Sequence, residues 1–308
     1  MILIDNISAV NLKPCVASIG FFDGVHLGHR YLIEQVKEEA AKKGLASAII
    51  TFPVHPRVVM DSNYKPELLT YYEEKLELLS KTGIDYCIVL DFTIDISQLT
   101  AQRFMEVILK QKYNVNGLVI GHDHRFGHNR SEGFDDYCRF GKELDIDVVK
   151  AKVCIVDDTI ISSSVIRRLL KSNEISLANT FLTYNYSLEG VVVGGHRIGR
   201  TLGFPTANLK IEKPYKLVPA NGVYGVYVTV AGKKYAGMLD IGHRPTIANG
   251  NERSIEVHIL HFNSNIYNFP IKLNFVEFIR HDIKFSSIED LRKQLEKDAE
   301  GVEKLLKR

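Results

Sequence analysis

The segment GFFDGVHLGH, residues 20–29, stands between a short apolar run, 16–19, and an amphipathic segment that begins near His29. The run predicts a strand and the amphipathic segment predicts a helix, so residues 20–29 form a strand-to-helix turn. Its glycines permit a tight turn and a close approach of the backbone to a ligand. Because a helix N-terminus offers free N–H groups and the positive end of a dipole, this turn suits a phosphate.

Two histidines stand at the mouth of that helix. His26 and His29 are three residues apart, so their side chains can point the same way. Two imidazoles aimed at a phosphate can donate hydrogen bonds to the charge that develops during phosphoryl or nucleotidyl transfer. The alternative is a glycine-rich turn with two solvent-facing histidines. We call residues 20–29 the imidazole turn.

The whole chain limits the classes of function. With 308 residues, two domains are expected, and 45% hydrophobic with 25% charged residues is ordinary for a globular protein. A net charge of +2 without a dense Lys/Arg block argues against a nucleic-acid surface. Residues 1–11 lack a signal-peptide pattern, and no apolar stretch is long enough to span a bilayer. We therefore expect neither nucleic acid nor membrane as a partner.

The four cysteines, at 15, 87, 138 and 154, form no C-x-x-C pair. A metal cluster or redox motif is therefore not indicated. Reduced, mostly buried thiols are typical of cytoplasmic proteins, so the cytoplasm is the expected location.

The first half alternates predicted strands and helices. The strands are 16–19, 46–52, 86–90, 118–120 and 147–149, and the helices are 31–43, 70–83 and one around 104–108. Thr70 and Glu73 form a predicted capping box for the second helix. This alternation predicts an α/β fold with a doubly wound parallel sheet, whose ligands bind beyond the carboxyl ends of the strands.

Three further motifs fall at those ends. They are TFPVHP at 51–56, GHDHRFG at 121–127 and SSSVIR at 162–167. The serines can offer hydroxyls to a phosphate and Arg167 can fork onto its oxygens, although helix capping and a solvated surface charge fit equally well. His122, His124 and His128 match no zinc spacing, and Mg²⁺ does not prefer imidazole, which favours a loop lining a nucleotide site.

The second half, from near Leu182, is rich in strands and glycines and predicts a small antiparallel barrel. Predicted strands are 222–230, 254–262 and 271–275. In the second of these, Glu256 and His258 face away from the apolar side. Ser286 and Glu289 form a predicted capping box for a final helix, whose apolar stripe (291, 295, 299, 302 and 306) indicates core packing.

Another candidate site is the block GGHRIGRTLGFPTAN, residues 194–208. Thr206 and Asn208 alternate around Ala207, so their oxygens can face one Mg²⁺ ion. The glycines can wrap phosphates through backbone N–H groups. The pattern G-x-x-x-x-G-K-[ST] is absent from the sequence, which excludes a P-loop kinase. A Gly/Pro turn with polar caps fits the residues about as well.

The first-half motifs FDGVHLGH, TFPVHP, GHDHRFG and ISSSVIR together resemble the FMN adenylyltransferase module of the bacterial bifunctional riboflavin kinase/FAD synthetase family, within the nucleotidylyltransferase superfamily. The resemblance implies that His26, His29, Ser163 and Arg167 handle the ATP phosphates. It implies that Asp123 and the loop around Phe126 hold the flavin or adenosine. The predicted binding set also includes Gly20, Phe21, Asp23, Gly28, His55, Arg125 and Ser162. Ser164 replaces a usual threonine and His124 a usual aromatic residue.

The second-half motifs GRTLGFPTANL, PANGVYGVYV, DIGHRPT, IEVHIL and FIRHDIKFSSIEDL resemble the riboflavin kinase module of the same family. The resemblance implies that Thr206 and Asn208 bind Mg·ATP and that Glu256 is the base for the riboflavin 5′-hydroxyl. The strand alternation alone also fits a solvent-facing Glu256. The predicted binding set adds Gly195, Gly203 and Pro205. Residues 182–186, LTYNY, depart from the usual Gly-Arg-Pro-Tyr.

The sequence thus predicts two modules, 1–182 for FMN adenylyl transfer and 183–308 for riboflavin phosphorylation. The expected small molecules are ATP, Mg²⁺, riboflavin, FMN and FAD, and the oligomeric state is not indicated. One alternative is that only one module is active. Loss of the kinase activity is the first form of it to test, because the departure at 182–186 lies in the kinase half. The other is a non-catalytic flavin-binding regulator.

Overall fold

The computed structural model describes residues 1–5, 12–122, 124–128, 130–195, 199, 202–243 and 253–306. The chain divides into two compact units, Met1–Ser163 and Ser164–Arg308. This division falls before the predicted module boundary at residue 182, which stays a prediction.

The first unit contains a parallel sheet of six strands in the order β1-β4-β3-β2-β5-β6. The strands are β1 (Ile2–Ile4), β2 (Cys15–Ile19), β3 (Ala46–Thr51), β4 (Tyr86–Val89), β5 (Val115–Ile120) and β6 (Asp147–Lys150). The predicted doubly wound fold is confirmed. The sequence analysis did not predict β1, because three residues at an exposed sheet edge carry too little pattern.

Helices cover both faces of this sheet. They are α1 (Leu27–Lys43), α2 (Pro56–Met60), α3 (Tyr72–Ser80), α4 (Ile94–Ser97), α5 (Ala101–Phe104), a π-helical segment Met105–Lys112 and α6 (Phe134–Leu144). Successive residues of β2 serve opposite faces: Val16 packs with Ile33 and Val36 of α1, whereas Ala17 packs in the cluster of Met105 and Tyr137. A short hairpin, β7 (Ile155–Val156) and β8 (Thr159–Ile160), precedes α7 (Ser163–Lys171).

The second unit is built around a closed barrel in the order β10-β13-β12-β11-β14-β9, with antiparallel neighbours. Its elements are α8 (Ile175–Leu182), β9 (Ser187–Val193), β10 (Thr206–Lys210), β11 (Gly222–Val230), β12 (Lys233–His243), β13 (Arg253–Ile259), β14 (Pro270–Arg280) and α9 (Ile288–Leu306). Tyr224, Val226 and Val228 of β11 are fully buried, as their alternation predicts. The predicted barrel with a final helix is confirmed.

The last helix packs its apolar stripe onto the barrel. Val302 and Leu306 are buried with Val223 and Met238, and Leu295 packs against the same cluster. The prediction that this stripe packs in the core is therefore confirmed.

Both predicted capping boxes are wrong by one residue. Glu74, not Glu73, accepts a hydrogen bond from the N–H of Tyr71 (2.6 Å), because the Thr70 hydroxyl accepts one from the N–H of Gly24. In α9 it is the hydroxyl of Ser287 that accepts from the N–H of Asp290 (3.1 Å).

Of the helices in the part of the chain described above, none is both long enough and apolar enough to cross a membrane.

Candidate active sites

The imidazole turn places His26 at the N-cap of α1. Its Nδ1 accepts a hydrogen bond from the backbone N–H of His29 at 3.3 Å. An Nδ1 that accepts must carry no proton, so in the neutral ring the proton lies on Nε2. The two imidazole rings stack with centroids 3.6 Å apart and planes 20° apart. The structure therefore brings together the two predicted histidines at a helix N-terminus.

Asp23 ties the imidazole turn to residues 69 and 70. Its buried carboxylate accepts hydrogen bonds from the N–H groups of Leu69 (3.0 Å) and Thr70 (2.9 Å) and from the Thr70 hydroxyl (3.2 Å). The N–H of Gly24 donates to the same hydroxyl at 3.0 Å. These contacts support a positioning role for Asp23, and its predicted contact with ATP stays a prediction.

The serine motif contacts the imidazole turn although the two are far apart in the sequence. The hydroxyl of Ser163 donates to the backbone oxygen of Asp23 at 2.9 Å. A Cβ on Gly28 would lie 2.7 Å from the backbone oxygen of Ile161, so only glycine fits there without a shift of the chain. Residues 161–163 and the turn thus meet through backbone atoms, as a phosphate cradle requires.

The TFPVHP motif lies beside Phe21. The rings of Phe21 and His55 meet edge to face at 4.7 Å. His55 caps α2 by accepting a hydrogen bond from the N–H of Arg57 at 3.2 Å through Nδ1, so this imidazole also keeps its proton on Nε2. Nζ of Lys75, on α3, also approaches the Phe21 ring and lies 4.1 Å from its centroid.

The GHDHRFG loop presents a stacked aromatic pair. Phe126 and Tyr137 lie parallel, with centroids 4.4 Å apart and planes 8° apart, and the Tyr137 hydroxyl accepts from the N–H of Phe126 at 3.1 Å. Arg125 is exposed and donates to the backbone oxygen of Arg130 at 3.4 Å. Asp123 lies outside the described residues.

The remaining predicted residues of this motif set lie on or next to the same elements. Gly20 is half-buried and donates its N–H to Ile50 at 3.0 Å. Ser162 is half-buried and precedes α7. Arg167 follows Ser163 by one turn of α7 and is half-buried.

A second set of polar residues lies side by side on three neighbouring strands of the barrel. Asn208 of β10 pairs with Glu256 of β13, and Glu256 pairs with Asp240 of β12. Directly paired residues share a face, so these three side chains form a row on the outer side of the barrel. The Thr206 hydroxyl donates to Oε2 of Glu256 at 3.1 Å. The structure thus brings Thr206, Asn208 and Glu256 together.

Asp240 is the residue of this row that the sequence analysis missed. Desolvation, then the negative charges of Asp282 and Glu256, raise the pKa of its carboxyl to about 6. The available signal was its place in β12, whose alternating side chains put it on the outer face opposite Glu256.

The glycines and Pro205 shape the backbone around this row. A Cβ on Gly195 would lie 2.2 Å from the amide nitrogen of Asn208, so glycine lets the chain pass close to that side chain. Gly203 has φ +86°, which favours glycine. The backbone oxygen of Pro205 lies 2.8 Å from Nδ1 of His258, and burial lowers the pKa of that imidazole.

A cavity of about 370 Å³ opens beside Thr206. Its lining comes from three strands of the barrel and from residues 205 and 262–267. The lining residues are Val192, Pro205, Thr206, Ala207, Val257, Ile259, Phe262, Asn263, Ser264, Asn265, Ile266 and Tyr267. The lining therefore combines apolar side chains with polar groups, which suits a flat heterocyclic ring with polar edges.

The departure at residues 182–186 leaves the start of the barrel well anchored. Asn179 accepts from the N–H of Tyr186 at 2.8 Å and donates to the backbone oxygen of Phe275 at 2.9 Å. The Tyr186 hydroxyl donates to the backbone oxygen of Leu217 at 2.6 Å. The departure on which the kinase-loss alternative rests therefore leaves this segment hydrogen-bonded to the barrel.

The comparisons with known proteins cover both halves. Residues 8–165 match the family model for FAD synthetase, and residues 182–306 match that for riboflavin kinase. A bifunctional riboflavin kinase/FMN adenylyltransferase of Listeria monocytogenes is 38% identical over 290 residues, which is 93% of this chain and 91% of the relative. The enzyme of the same name from Escherichia coli K12 is 34% identical over 96% of this chain and 94% of the relative.

A crystal structure from Streptococcus pneumoniae, described as a macrolide-efflux protein, has a TM-score of 0.87 and 29% identity, and the match covers 98% of this chain and 99% of that one. The chain therefore belongs to the bifunctional riboflavin kinase/FMN adenylyltransferase family, whose two activities convert riboflavin with ATP to FMN and FMN with ATP to FAD.

Proposed function

We propose that the two reactions take place at two separate ATP sites, one at the imidazole turn of the first unit and one at the Thr206–Glu256 row of the barrel. The observation that carries this proposal is that residues from two motif sets, distant in sequence, gather at two places in different units. His26, His29 and Ser163 gather around one helix N-terminus. Thr206, Asn208 and Glu256 gather on two paired strands.

At the imidazole turn, a phosphate oxygen of FMN attacks the α-phosphorus of ATP and pyrophosphate leaves. His26 and His29 donate hydrogen bonds to the triphosphate, which stabilises the charge that grows on its oxygens. The proton on Nε2 of His26 supports this role, because its Nδ1 already accepts from the backbone. The N–H groups of α1 bind phosphate oxygens, and the Ser163 hydroxyl exchanges its hydrogen bond to Asp23 for one to a phosphate oxygen. The predicted contact of Arg167, which belongs to the second unit, stays a prediction.

The flavin and the adenosine of this first reaction lie along the aromatic side chains of Phe21, His55 and Phe126. Their ring contacts support the assignment, since planar rings stack on one another. Asp123 and Arg125 of the GHDHRFG loop contribute polar contacts. Gly20, Asp23, Gly28 and Ser162 shape the backbone around the phosphates.

At the barrel, the 5′-hydroxyl of riboflavin attacks the γ-phosphorus of ATP and ADP leaves. Glu256 accepts the hydroxyl proton as general base. Its hydrogen bond from Thr206 holds the carboxylate in one orientation.

Mg²⁺ fits the barrel site. The side chains available there, those of Thr206 and Asn208, offer the hard oxygen ligands that this ion prefers. In the part of the chain that the structure describes, no group of three His, Cys, Asp or Glu side chains is arranged to hold a metal. Phosphate oxygens of ATP would therefore supply further ligands of the ion. When bound, Mg²⁺ neutralises charge on the β- and γ-phosphates.

The cavity of about 370 Å³ beside Thr206 takes the base of the ATP that donates the γ-phosphate. Its lining combines apolar side chains such as Val257 and Ile259 with the amides of Asn263 and Asn265, which suits a flat ring with polar edges. Gly195, Gly203 and Pro205 set the path of the backbone along the triphosphate.

The enzyme works in the cytoplasm on small molecules, without nucleic acid or membrane as a partner. Support comes from the near-neutral net charge of +2 and from four cysteines that are all free.

The experiment is a time course of the purified chain with riboflavin, ATP and Mg²⁺ in which FMN and FAD are resolved. His29→Ala is expected to abolish FAD formation from FMN and to leave riboflavin phosphorylation unchanged. Glu256→Ala is expected to do the reverse. Loss of both reactions from either change in a folded protein would contradict the division of labour.

A further inference from the structure

Lys75 is a buried charge that the chemistry above does not use. Its side chain, on α3, is 2% exposed. Lysines are almost never buried to this degree unless a partner stabilises the charge, since taking an ammonium out of water is unfavourable. A buried lysine in this position therefore calls for a reason.

The partners of this ammonium come from two of the predicted motifs. Its Nζ donates to the backbone oxygen of Phe21 at 3.0 Å and to that of Phe52 at 2.7 Å. Phe21 lies in the imidazole turn after β2, and Phe52 lies in TFPVHP directly after β3. Because β2 and β3 are parallel neighbours, both oxygens stand at the carboxyl edge of the sheet, where ligands bind. Lys75 thus ties together two motif loops.

The third contact is with an aromatic side chain of the candidate site. Nζ lies 4.1 Å from the centroid of the Phe21 ring, a distance at which a desolvated ammonium is attracted to the ring face. The ring also meets the imidazole of His55 at 4.7 Å. The ammonium therefore sets the position of a ring that, in turn, contacts His55.

We propose that Lys75 is a positioning residue for adenylyl transfer, whose positive charge holds Phe21 and the backbone after β3 in the arrangement that binds FMN and ATP. This inference rests on the assignment of adenylyl transfer to the imidazole turn. It goes beyond that assignment, because Lys75 lies in none of the motifs that carry it.

The role depends on the charge of the ammonium. Burial lowers the pKa of Lys75 to about 8, and the negative charge of Asp23 opposes this shift. The other titratable groups that face it are Cys87 and Tyr72. Burial raises the pKa of both, that of Cys87 to about 11, so they stay neutral near pH 8. Above that pH Lys75 loses its proton and its attraction to Phe21.

The experiment uses the full chain with four proteins: wild type, Lys75→Met, Lys75→Arg and, as matched control, Lys81→Met at the exposed end of the same helix. Conversion of FMN to FAD and of riboflavin to FMN is measured from about pH 6 to about pH 10. Lys75→Met is expected to lower kcat/KM for FAD formation by about tenfold or more, mainly through KM, because it removes a charged contact to a binding ring.

Wild type is expected to lose FAD formation with a midpoint near pH 8, and Lys75→Arg to keep activity to higher pH because guanidinium stays charged. Riboflavin phosphorylation is expected to stay within about twofold in all four proteins, since its groups lie in the other unit. Lys81→Met is expected to resemble wild type.

The inference is overturned if Lys75→Met keeps the wild-type kcat/KM and pH profile, or if it loses activity with unchanged KM and Lys75→Arg restores nothing. If Lys75→Met does not fold, the wild-type profile decides, and FAD formation that is flat through pH 8 overturns it. The assignment of adenylyl transfer to the imidazole turn is tested separately: a His29→Ala protein that still makes FAD would contradict it.

Discussion

The imidazole turn and the Thr206–Glu256 row are held in place by different means. In the turn, the supports come from distant parts of the chain: Ser163 reaches Asp23 across 140 residues, and Thr70 reaches it across 47. In the row, the residues follow from the register of neighbouring strands, Asn208 opposite Glu256. A site of the first kind depends on tertiary hydrogen bonds between distant segments, whereas a site of the second kind depends on the hydrogen bonds between neighbouring strands.

This comparison predicts that support residues are sensitive in the first unit. Asp23→Ala should have the largest effect, because it leaves the buried N–H groups of Leu69 and Thr70 without their acceptor. We expect a loss of about 3 kcal/mol in the free energy of unfolding of that unit, and a fall of about 100-fold or more in FAD formation.

The measurements are urea unfolding and separate assays of the two reactions. Asp61→Ala is the control, because Asp61 is exposed and its carboxylate accepts a local hydrogen bond from the N–H of Asn63. Normal FAD formation in a folded Asp23→Ala protein would show that the turn does not need this anchor.

Gly28→Ala sharpens the same point with one methyl group. The added Cβ would lie 2.7 Å from the backbone oxygen of Ile161, so residues 161–163 must move away from the imidazole turn. We expect FAD formation to fall by about 10- to 100-fold with riboflavin phosphorylation unchanged. Gly44→Ala is a poor control because of its φ of +65°, whereas Gly133→Ala meets no atom within 4 Å and should leave both activities intact.

In the barrel, a support residue should matter less. Tyr186→Phe removes the hydrogen bond to the backbone oxygen of Leu217 but keeps the buried ring. We expect a loss of about 1 kcal/mol in the stability of the second unit, with kcat and KM of riboflavin phosphorylation within about twofold of wild type. A large loss of kinase activity from this change would place the 182–186 segment among the determinants of the reaction.

The smallest effect is expected at Asp240. Its pKa is raised to about 6 in the folded barrel, so ionisation costs stability as the pH rises from about 4 through 6. Asp240→Asn should therefore equal wild type below about pH 4 and be more stable above pH 6, by about 1 kcal/mol, because the residue keeps contact with water although its carboxyl is partly desolvated. Urea unfolding at several pH values measures this, and identical pH dependence in both proteins would contradict it.

The sequence predicted the architecture well where periodicity was strong. The runs of β2, β3 and β11 were found because buried strands need continuous or alternating apolar residues. The strand β1 was missed because three residues carry no period. Both capping boxes were placed one residue early. The Thr70 hydroxyl accepts its hydrogen bond from the N–H of Gly24 instead, and Ser287 rather than Ser286 caps α9.

The residues around the sites were harder to predict than the motifs themselves. Lys75 stands four residues before the buried Leu79 on the same face of α3, a signal that marks it as buried but gives no partner. Its partners, Phe21 and Phe52, are set by the tertiary fold. Asp240 depends on strand register, which a single sequence does not fix. The roles of the predicted site residues stay predictions.

The most direct test of the account is a crystal structure of the full chain with Mg²⁺ and a non-hydrolysable ATP analogue. We expect two nucleotides per chain, one with its triphosphate at the N-terminus of α1 beside His26 and His29, the other beside Thr206 and Asn208. A single occupied site, or a triphosphate bound away from both places, would contradict the claim that one chain carries two separate ATP sites.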